Sequence, residues 1–361
     1  MDNLISNLLL VAKPSGLWER IIMGLEGGLG SFALSIVLLT IIIKIIMSPI
    51  DFFNKRTTRK MQKMQSKIQP QIDAINKKYA NDDKLKNQKL GELYQREKIN
   101  PMSSCGVMLV SMGLTLAIFI TLFNGMNAMA SYKIANQYEQ LQIAYVQEYA
   151  GDSLDLEQVD AEGNPKSVYE ICLPYIKQIN ESEDQSVKDT AHANVKEKYN
   201  ETKESFLWIE NIWMADSPFK NSIPSYSEYA NVAKLSNDDK NNEEYKAVYE
   251  QIMNPLKEST GRVNGFFVLT VLCAALAFLN QWLMTRKNPQ PAGKPKFGLS
   301  MILMPLLMAF FTLLYTTMFS LYMITGQLVT LALTPLIDLI NDKIDKHQEI
   351  KKIPKDRLRR I

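Results

Sequence analysis

The chain has 361 residues, 46% of them hydrophobic, with 41 basic against 38 acidic side chains and a formal net charge of +3. So even a balance excludes nucleic-acid binding through bulk charge, and three cysteines without metal-binding spacing (Cys105, Cys172, Cys273) do not make a disulfide or metal framework. The averages conceal segregation, because uncharged runs of membrane length alternate with charge-dense stretches.

Residues 1–28 open with an apolar run, Leu4–Ala12, that is short, broken by Ser6 and Asn7 and preceded by no basic residue, which does not fit a cleaved signal peptide. Gly16–Gly27 then sets Leu17, Ile21, Ile22 and Leu25 on one helical stripe beside Trp18, which predicts an amphipathic helix lying in a membrane surface. The first span follows at Leu29–Ile50, with Pro49 at its expected end. One full charge, Lys44, lies inside it, and Thr40 and Ser48, four residues to either side, share its face. A charge in hydrocarbon costs at least roughly 2.5–3.5 kcal/mol, so it marks a functional site by default. The other reading is a lysine snorkelling to an interface about 9 Å of helix rise away. Spacing leaves both open.

Residues 51–101 carry thirteen basic and six acidic side chains, a net of +7. Pro70 and the Asn81-Asp82-Asp83 turn are expected to split this stretch into two helical arms, and Met61, Met64 and Ile68 form an apolar stripe on the first. That stripe and the charge suit a mobile element touching headgroups, ribosome or incoming chain. The second span is Met102–Ala130, where Ser104, Ser111 and Thr115 share a face. Helix packing in membranes accounts for such a stripe more often than a wet surface does.

Residues 131–262 are polar, with 13 basic and 24 acidic side chains, a net of −11. Their length and helical patterning predict a folded helical domain. Met126–Tyr149 is expected to continue span two outward, its tyrosines covering helices at Val168–Ile179 and Lys196–Trp208. Glu181–Asp189 and Ser236–Glu244 are polar enough for disorder, and Phe206–Met214 is apolar enough to pack on a membrane surface or on the end of a span. The third span is 263–285, and the loop at 286–298 carries four basic residues and no acidic one. Leu299–Ile337 holds 39 residues without a charge, too many for one helix across roughly 30 Å of hydrocarbon. They divide into spans at 299–316 and 317–340 around a turn near Tyr315–Met318, and a basic tail closes the chain at 341–361. The fold class expected is an all-α membrane protein: five transmembrane helices, a cytoplasmic helical hairpin and a helical extracytoplasmic insertion. With the N-terminus outside and the C-terminus cytoplasmic, every basic connection is cytoplasmic and the acidic one is not.

The stretches KMQSKIQPQIDAINKKY and LGELYQREKINPMSSC resemble the signature of YidC-type membrane protein insertases, the Oxa/Alb/YidC group, with Pro70, Tyr79, Leu93, Tyr94, Asn100, Pro101 and Cys105 at matching places. FLWI before span three and SLYMITGQL (Ser320–Leu328) are similar to further family stretches, and the resemblance covers the spans and hairpin but not the insertion. It implies a bacterial cytoplasmic-membrane location and a groove open to cytoplasm and lipid but closed to the outside. In place of the family's first-span arginine stands Lys44, which keeps the charge but not the planar fork. Departures also fall at Val107, Ser111, Gly113, Met323 and Gln327.

His192 and His347 fall on opposite predicted sides of the membrane, and no phosphate loop, HExxH motif or intramembrane carboxylate pair is present, so neither enzyme chemistry nor a cofactor is expected. The implied work is to lower the barrier for a polar segment crossing lipid, with Lys44, Thr40, Ser48, Ser104, Ser111, Thr115 and Gln327 lining the groove. Implied partners are nascent membrane proteins, the ribosome, membrane lipids and the Sec translocon. The alternatives are a transporter or channel with Lys44 at an ion or substrate site, and a membrane-anchored external binding domain.

Overall fold

The computed structural model describes residues 13–97, 101–287 and 300–352, and its regular elements are all helices, with no strand beyond isolated bridges among the described residues. The run at 4–12, the loop at 288–299 and the last nine residues of the basic tail lie outside them. Three helical stretches are long and apolar enough to cross a membrane, Phe32–Met61, Leu109–Ser153 and Thr317–Gln348, and two shorter apolar ones are Val268–Met284 and Met301–Leu314.

Helix α1, Leu17–Leu29, is the amphipathic segment and ends at Gly30, whose left-handed φ of 66° suits a residue without Cβ. Helix α2, Phe32–Lys78, runs unbroken through both Pro49 and Pro70, contrary to the expectation that Pro49 ends the span and Pro70 splits the hairpin. Each proline removes one intrahelical bond, a local cost that the uninterrupted turns on either side outweigh in so long a helix. The chain reverses only after Lys78, and α3, Asp83–Arg96, begins where the Asp82 carboxylate accepts from the Leu85 N–H at 2.9 Å.

Helix α4, Pro101–Ala150, is continuous, so span two does extend well past the apolar run. After it come α5 (Val168–Glu181), α6 (Gln185–Thr202), α7 (Tyr226–Val232), the single turn α8 (Asn237–Lys240), α9 (Glu243–Thr260), α10 (Val268–Lys287), α11 (Ser300–Leu314) and α12 (Thr317–Lys352). Glu181–Asp189 and Ser236–Glu244, polar enough for disorder, are largely helical. Asp184 caps α6, Ser236 caps α8 and Asn242 caps α9, each side chain accepting a first-turn N–H. Low hydrophobicity in these places reflects caps and solvated helix faces rather than absence of structure.

The chain forms two compact units. The first gathers the described parts of Met1–Leu39, Thr121–Phe278 and Ile302–Thr325. Its core is aromatic: Tyr138 of α4 lies 4.8 Å from the Tyr249 ring and 5.0 Å from the Tyr229 ring, and all three are buried. The tyrosines of α4 therefore meet α7 and α9 as much as the helices expected to cover them. Tyr145 does reach α6, where its ring meets His192 at 5.3 Å, while Tyr149 is largely exposed.

The segment 204–222 ties the helix starts of this unit together. Buried Asn264 and Asn211 exchange bonds, Asn264 Oδ1 accepting from the Asn211 N–H at 2.8 Å and Asn264 Nδ2 donating to the Asn211 carbonyl at 2.9 Å. The fully buried Asp216 carboxylate accepts from the N–H groups of Phe266 at 2.8 Å and Leu269 at 2.6 Å, which caps α10 from a distant loop. Gly265 permits this approach, since its φ is 151° and a Cβ there would stand 1.9 Å from Asp216 Oδ1. The Met214 carbonyl accepts from the N–H and hydroxyl of Thr317, the first residue of α12, and Trp213 packs on Phe32, the first residue of α2, at 4.8 Å. The 212–214 part of the apolar stretch thus packs on helix ends, as one of its two sequence readings expects.

The second unit gathers the described parts of Thr40–Ile120, Leu279–Met301 and Gly326–Ile361. Here the stripe on α2 is not free for lipid. Buried Ile68, Ile72 and Leu93 form a core between α2 and α3, with Met61, Met64, Ile75, Leu90 and Tyr94 packed against it.

Candidate functional site

Lys44 lies on α2 within the second unit, half-buried, one turn beyond the buried Thr40. Helix α12 passes it at Gly326, where a Cβ would sit 3.2 Å from Lys44 Cε and 3.8 Å from Thr40 Cγ2. A glycine at this crossing leaves room for the lysine stem. Beside it Asn280 of α10 donates its amide to the Gln327 carbonyl at 3.3 Å, and the Thr330 hydroxyl returns to the Gly326 carbonyl at 2.8 Å. From Lys44 a cavity of about 870 Å³ runs along α2 and α12 past Asp51, Asn54, Lys55, Thr58 and Arg59 on one side and Thr330, Thr334 and Asp338 on the other. Leu283, Met284, Leu333 and Ile337 give it apolar wall.

The far part of that cavity is closed by an ionic rail. Asp338, buried, lies 2.7 Å from both Lys55 Nζ and Arg59 Nη2. Arg59 Nη1 reaches Asp342 at 2.6 Å, Lys63 Nζ reaches Asp345 at 2.8 Å, and Arg56 stands 3.8 Å from Asp345. Lys55 also donates to the Thr334 carbonyl at 3.3 Å. The carboxylates recur at i, i+4 and i+7 along α12, the cations at i, i+4 and i+8 along α2, so one helical face meets another. Among the described residues no ion pair within 4 Å is found for Lys44, although Asp51, in the same cavity lining, interacts with it electrostatically, whereas Lys55, Arg56, Arg59 and Lys63 are engaged in the rail. The arrangement places Lys44 in the lining of a cavity that also holds Asp51 and Lys346, beside the paired charges of the rail.

Residues 24–344 match the family described as 60Kd inner membrane protein, which is most of the chain. The chain belongs to that family. It is 38% identical over 96 residues to a membrane protein insertase YidC of Fusobacterium nucleatum, covering 27% of this chain and 45% of that one. It is 37% identical over 93 residues to one of Clostridium perfringens (26% and 37%), and 40% over 100 residues to one of Maricaulis maris (28% and 16%). The chain thus aligns with less than half the length of these relatives. No solved structure matches it. An all-helical chain with membrane-length apolar helices in this family is a bacterial inner membrane protein.

Within the family frame, the signature residues have physical roles. Leu93 and Tyr94 belong to the hairpin core, Pro101 opens α4 where a missing N–H costs nothing, and the Lys78 ammonium lies over the Tyr79 ring at the reversal. Asn100 lies outside the described residues, as do the side chains of Ser104 and Cys105. Of the residues expected in the groove, Thr40 and Lys44 meet at Gly326, beside the Gln327 backbone. Ser48 is half-buried on the same helix, though not among the cavity-lining residues. The exposed Thr115 turns its hydroxyl back to the Ser111 carbonyl at 2.8 Å, a bond within its own helix. Sequence reasoning missed Asp338, Asp342 and Asp345, because Asp338 falls near the end of the last expected span and the other two in a tail that reads as basic overall. Their i, i+4, i+7 spacing opposite a basic stripe of complementary period was the available signal.

Proposed function

We propose that this chain is a membrane protein insertase, with the Lys44 cavity as the polar groove that receives the hydrophilic end of a client segment. In this reading α2, α4, α10, α11 and α12 supply five spans, the α2–α3 hairpin and the α12 extension are cytoplasmic, and residues 131–262 are external, N-terminus out and C-terminus in. The observation that carries it is the position of Lys44: a cation facing Gly326 in the lining of a half-polar cavity, within a helix otherwise apolar enough to span lipid. Basic connections on one side and a −11 segment on the other support the orientation. The family and the YidC relatives support the activity.

The work is physical rather than catalytic. A polar cavity partway across the membrane replaces water for the client's hydrophilic end, and partition of the client's apolar helix into lipid drives the step, so no nucleotide enters. Lys44 attracts acidic side chains of that end more strongly than it would in water, because the local dielectric is lower. Ser48, Ser104, Ser111, Thr115 and Gln327 are assigned to a polar surface that extends the groove beyond the lining of that cavity. Clients are nascent membrane proteins, and the ribosome and the Sec translocon are the assemblies that deliver them.

The test is a photo-crosslinking residue at position 44 in the full chain, challenged with ribosome-stalled membrane proteins. Adducts with the client's polar end are expected. Lys44→Arg keeps insertion, and Lys44→Glu lowers it at least about tenfold for clients with acidic ends, the equivalent of about 1.4 kcal/mol. Normal insertion of every client by Lys44→Ala would reduce the lysine to a snorkelling side chain.

A further inference from the structure

The segment 204–222 holds helix starts together on its buried side, yet its other side is apolar and exposed. Phe206 and Ile209 exchange both backbone bonds at 2.9 Å, which makes a two-residue hairpin with Leu207 and Trp208 at the tip. Leu207 takes a φ of 55° at the first central position, where such a turn prefers glycine. Its side chain is nonetheless 74% exposed. A leucine that bears backbone strain and gains no burial within its own chain has no folding reason to be there. Phe219 is 87% exposed, its ring 5.7 Å from Phe267, and Phe266 is 62% exposed. The base of the hairpin lies beside the start of the 265–267 run, since Ile209 Cδ1 is 3.0 Å from the Cβ position of Gly265.

The patch has a direction of continuation. Phe266 and Phe267 lead directly into α10, whose first turns expose Val268, Val271 and Leu272, one helical face of an apolar helix. Basic side chains border it: Lys203 and Arg262 share Glu210 at 3.5 and 3.7 Å, and Lys220 pairs with Glu228. Aromatic and aliphatic side chains at the start of an apolar helix, bordered by ion pairs rather than by buried charge, match the chemistry of the headgroup boundary, where amphipathic rings seat.

We propose that Leu207, Trp208, Phe219 and Phe266 form a lipid-docking surface that seats the 204–222 segment in the headgroup–acyl boundary beside the start of α10. An otherwise acidic region of net −11 is thereby fixed to a bilayer that would repel it, and the loop that caps α10 and α12 is held at membrane level. This depends on α10 lying in lipid and not on the insertase reading.

The experiment places a nitroxide on single cysteines, Leu207→Cys and Phe219→Cys, in the full chain carrying Cys105→Ser. Cys172 and Cys273 are buried, and burial pushes the Cys172 thiol up to about 12, so neither competes for label. Val159→Cys, at a 54% exposed site on another loop, is the control. In phosphatidylethanolamine–phosphatidylglycerol vesicles, labels at 207 and 219 should collide with oxygen and be shielded from a water-soluble nickel chelate, giving an oxygen-to-nickel ratio several-fold above that at 159. A ratio equal to that at 159 would overturn the proposal. Protection from both reagents would overturn it too, since a protein partner or a second copy would then cover the patch.

Discussion

At the scale of single residues, the pairing of Lys44 with Gly326 is the most constrained feature of the site. The space that a Cβ at Gly326 would take is already shared by the lysine stem and the Thr40 methyl. Alanine asks Lys44 Cε to give by a few tenths of an ångström, which a flexible side chain can do. Valine or leucine must drive the lysine out of its place. We expect Gly326→Ala to retain most insertion, and Gly326→Val to resemble Lys44→Ala in client crosslinking while remaining folded, at a cost of about 1–3 kcal/mol from overpacking. Equal crosslinking by Gly326→Val and the parent would dissociate the glycine from the lysine's position. His192 gives a second residue-scale expectation. Burial pushes its imidazole below the ordinary value near 6.5, only partly countered by Asp189, and its buried Nδ1 has no partner. The folded form therefore resists protonation, so its contribution to stability is intact above about pH 6.5 and is lost as the pH falls through the lowered value. Thermal unfolding followed by tyrosine near-ultraviolet signal should shift down between pH 7.5 and 5.5, and His192→Phe should flatten that shift.

At the scale of elements, the ionic rail explains why α12 continues as one helix to Lys352 rather than ending with its apolar run. Asp338 is buried between Lys55 and Arg59, so removing it leaves two cations without their shared partner, whereas the outer pairs on Asp342 and Lys63 are exposed and contribute little. Asp338→Ala is expected to destabilise the chain by about 2 kcal/mol, and Asp342→Ala by well under 1. Protease cleavage within 339–352 should rise for the first and not for the second. Lys55→Asp combined with Asp338→Lys should recover part of the loss. No recovery would mean that Arg59 alone carries the contact. The same elements show what the hairpin stripe meets: Met61, Met64 and Ile68 have the period of a contact face, and Leu93 of the returning arm packs in the same core.

At the scale of the whole molecule, the distribution of apolar runs, the −11 segment and the +7 hairpin were legible in the linear sequence, because burial in lipid demands long uncharged runs that few other environments permit. The stretch that resembles the family signature holds Leu93 and Tyr94, which pack in the core between the two arms of the hairpin. Lys44, Thr40 and Ser48 could be picked out because a charge within a spanning run stands alone against its background. What faces them could not. Gly326 and the Asp338–Asp345 rail lie some 280 residues further along the chain, and an isolated glycine or a carboxylate in a basic tail has no local property that names its partner. Nor does local pattern reveal that α2 passes through Pro49 and Pro70, since neighbouring turns decide whether one missing bond ends a helix. Sequence alone determined which segments seek lipid and which seek water, because that is a sum over consecutive side chains. Tertiary structure decided which cations are neutralised, where Lys44 has room, and that Asp216 rather than a local residue caps α10, because each depends on a distance between residues far apart in the chain.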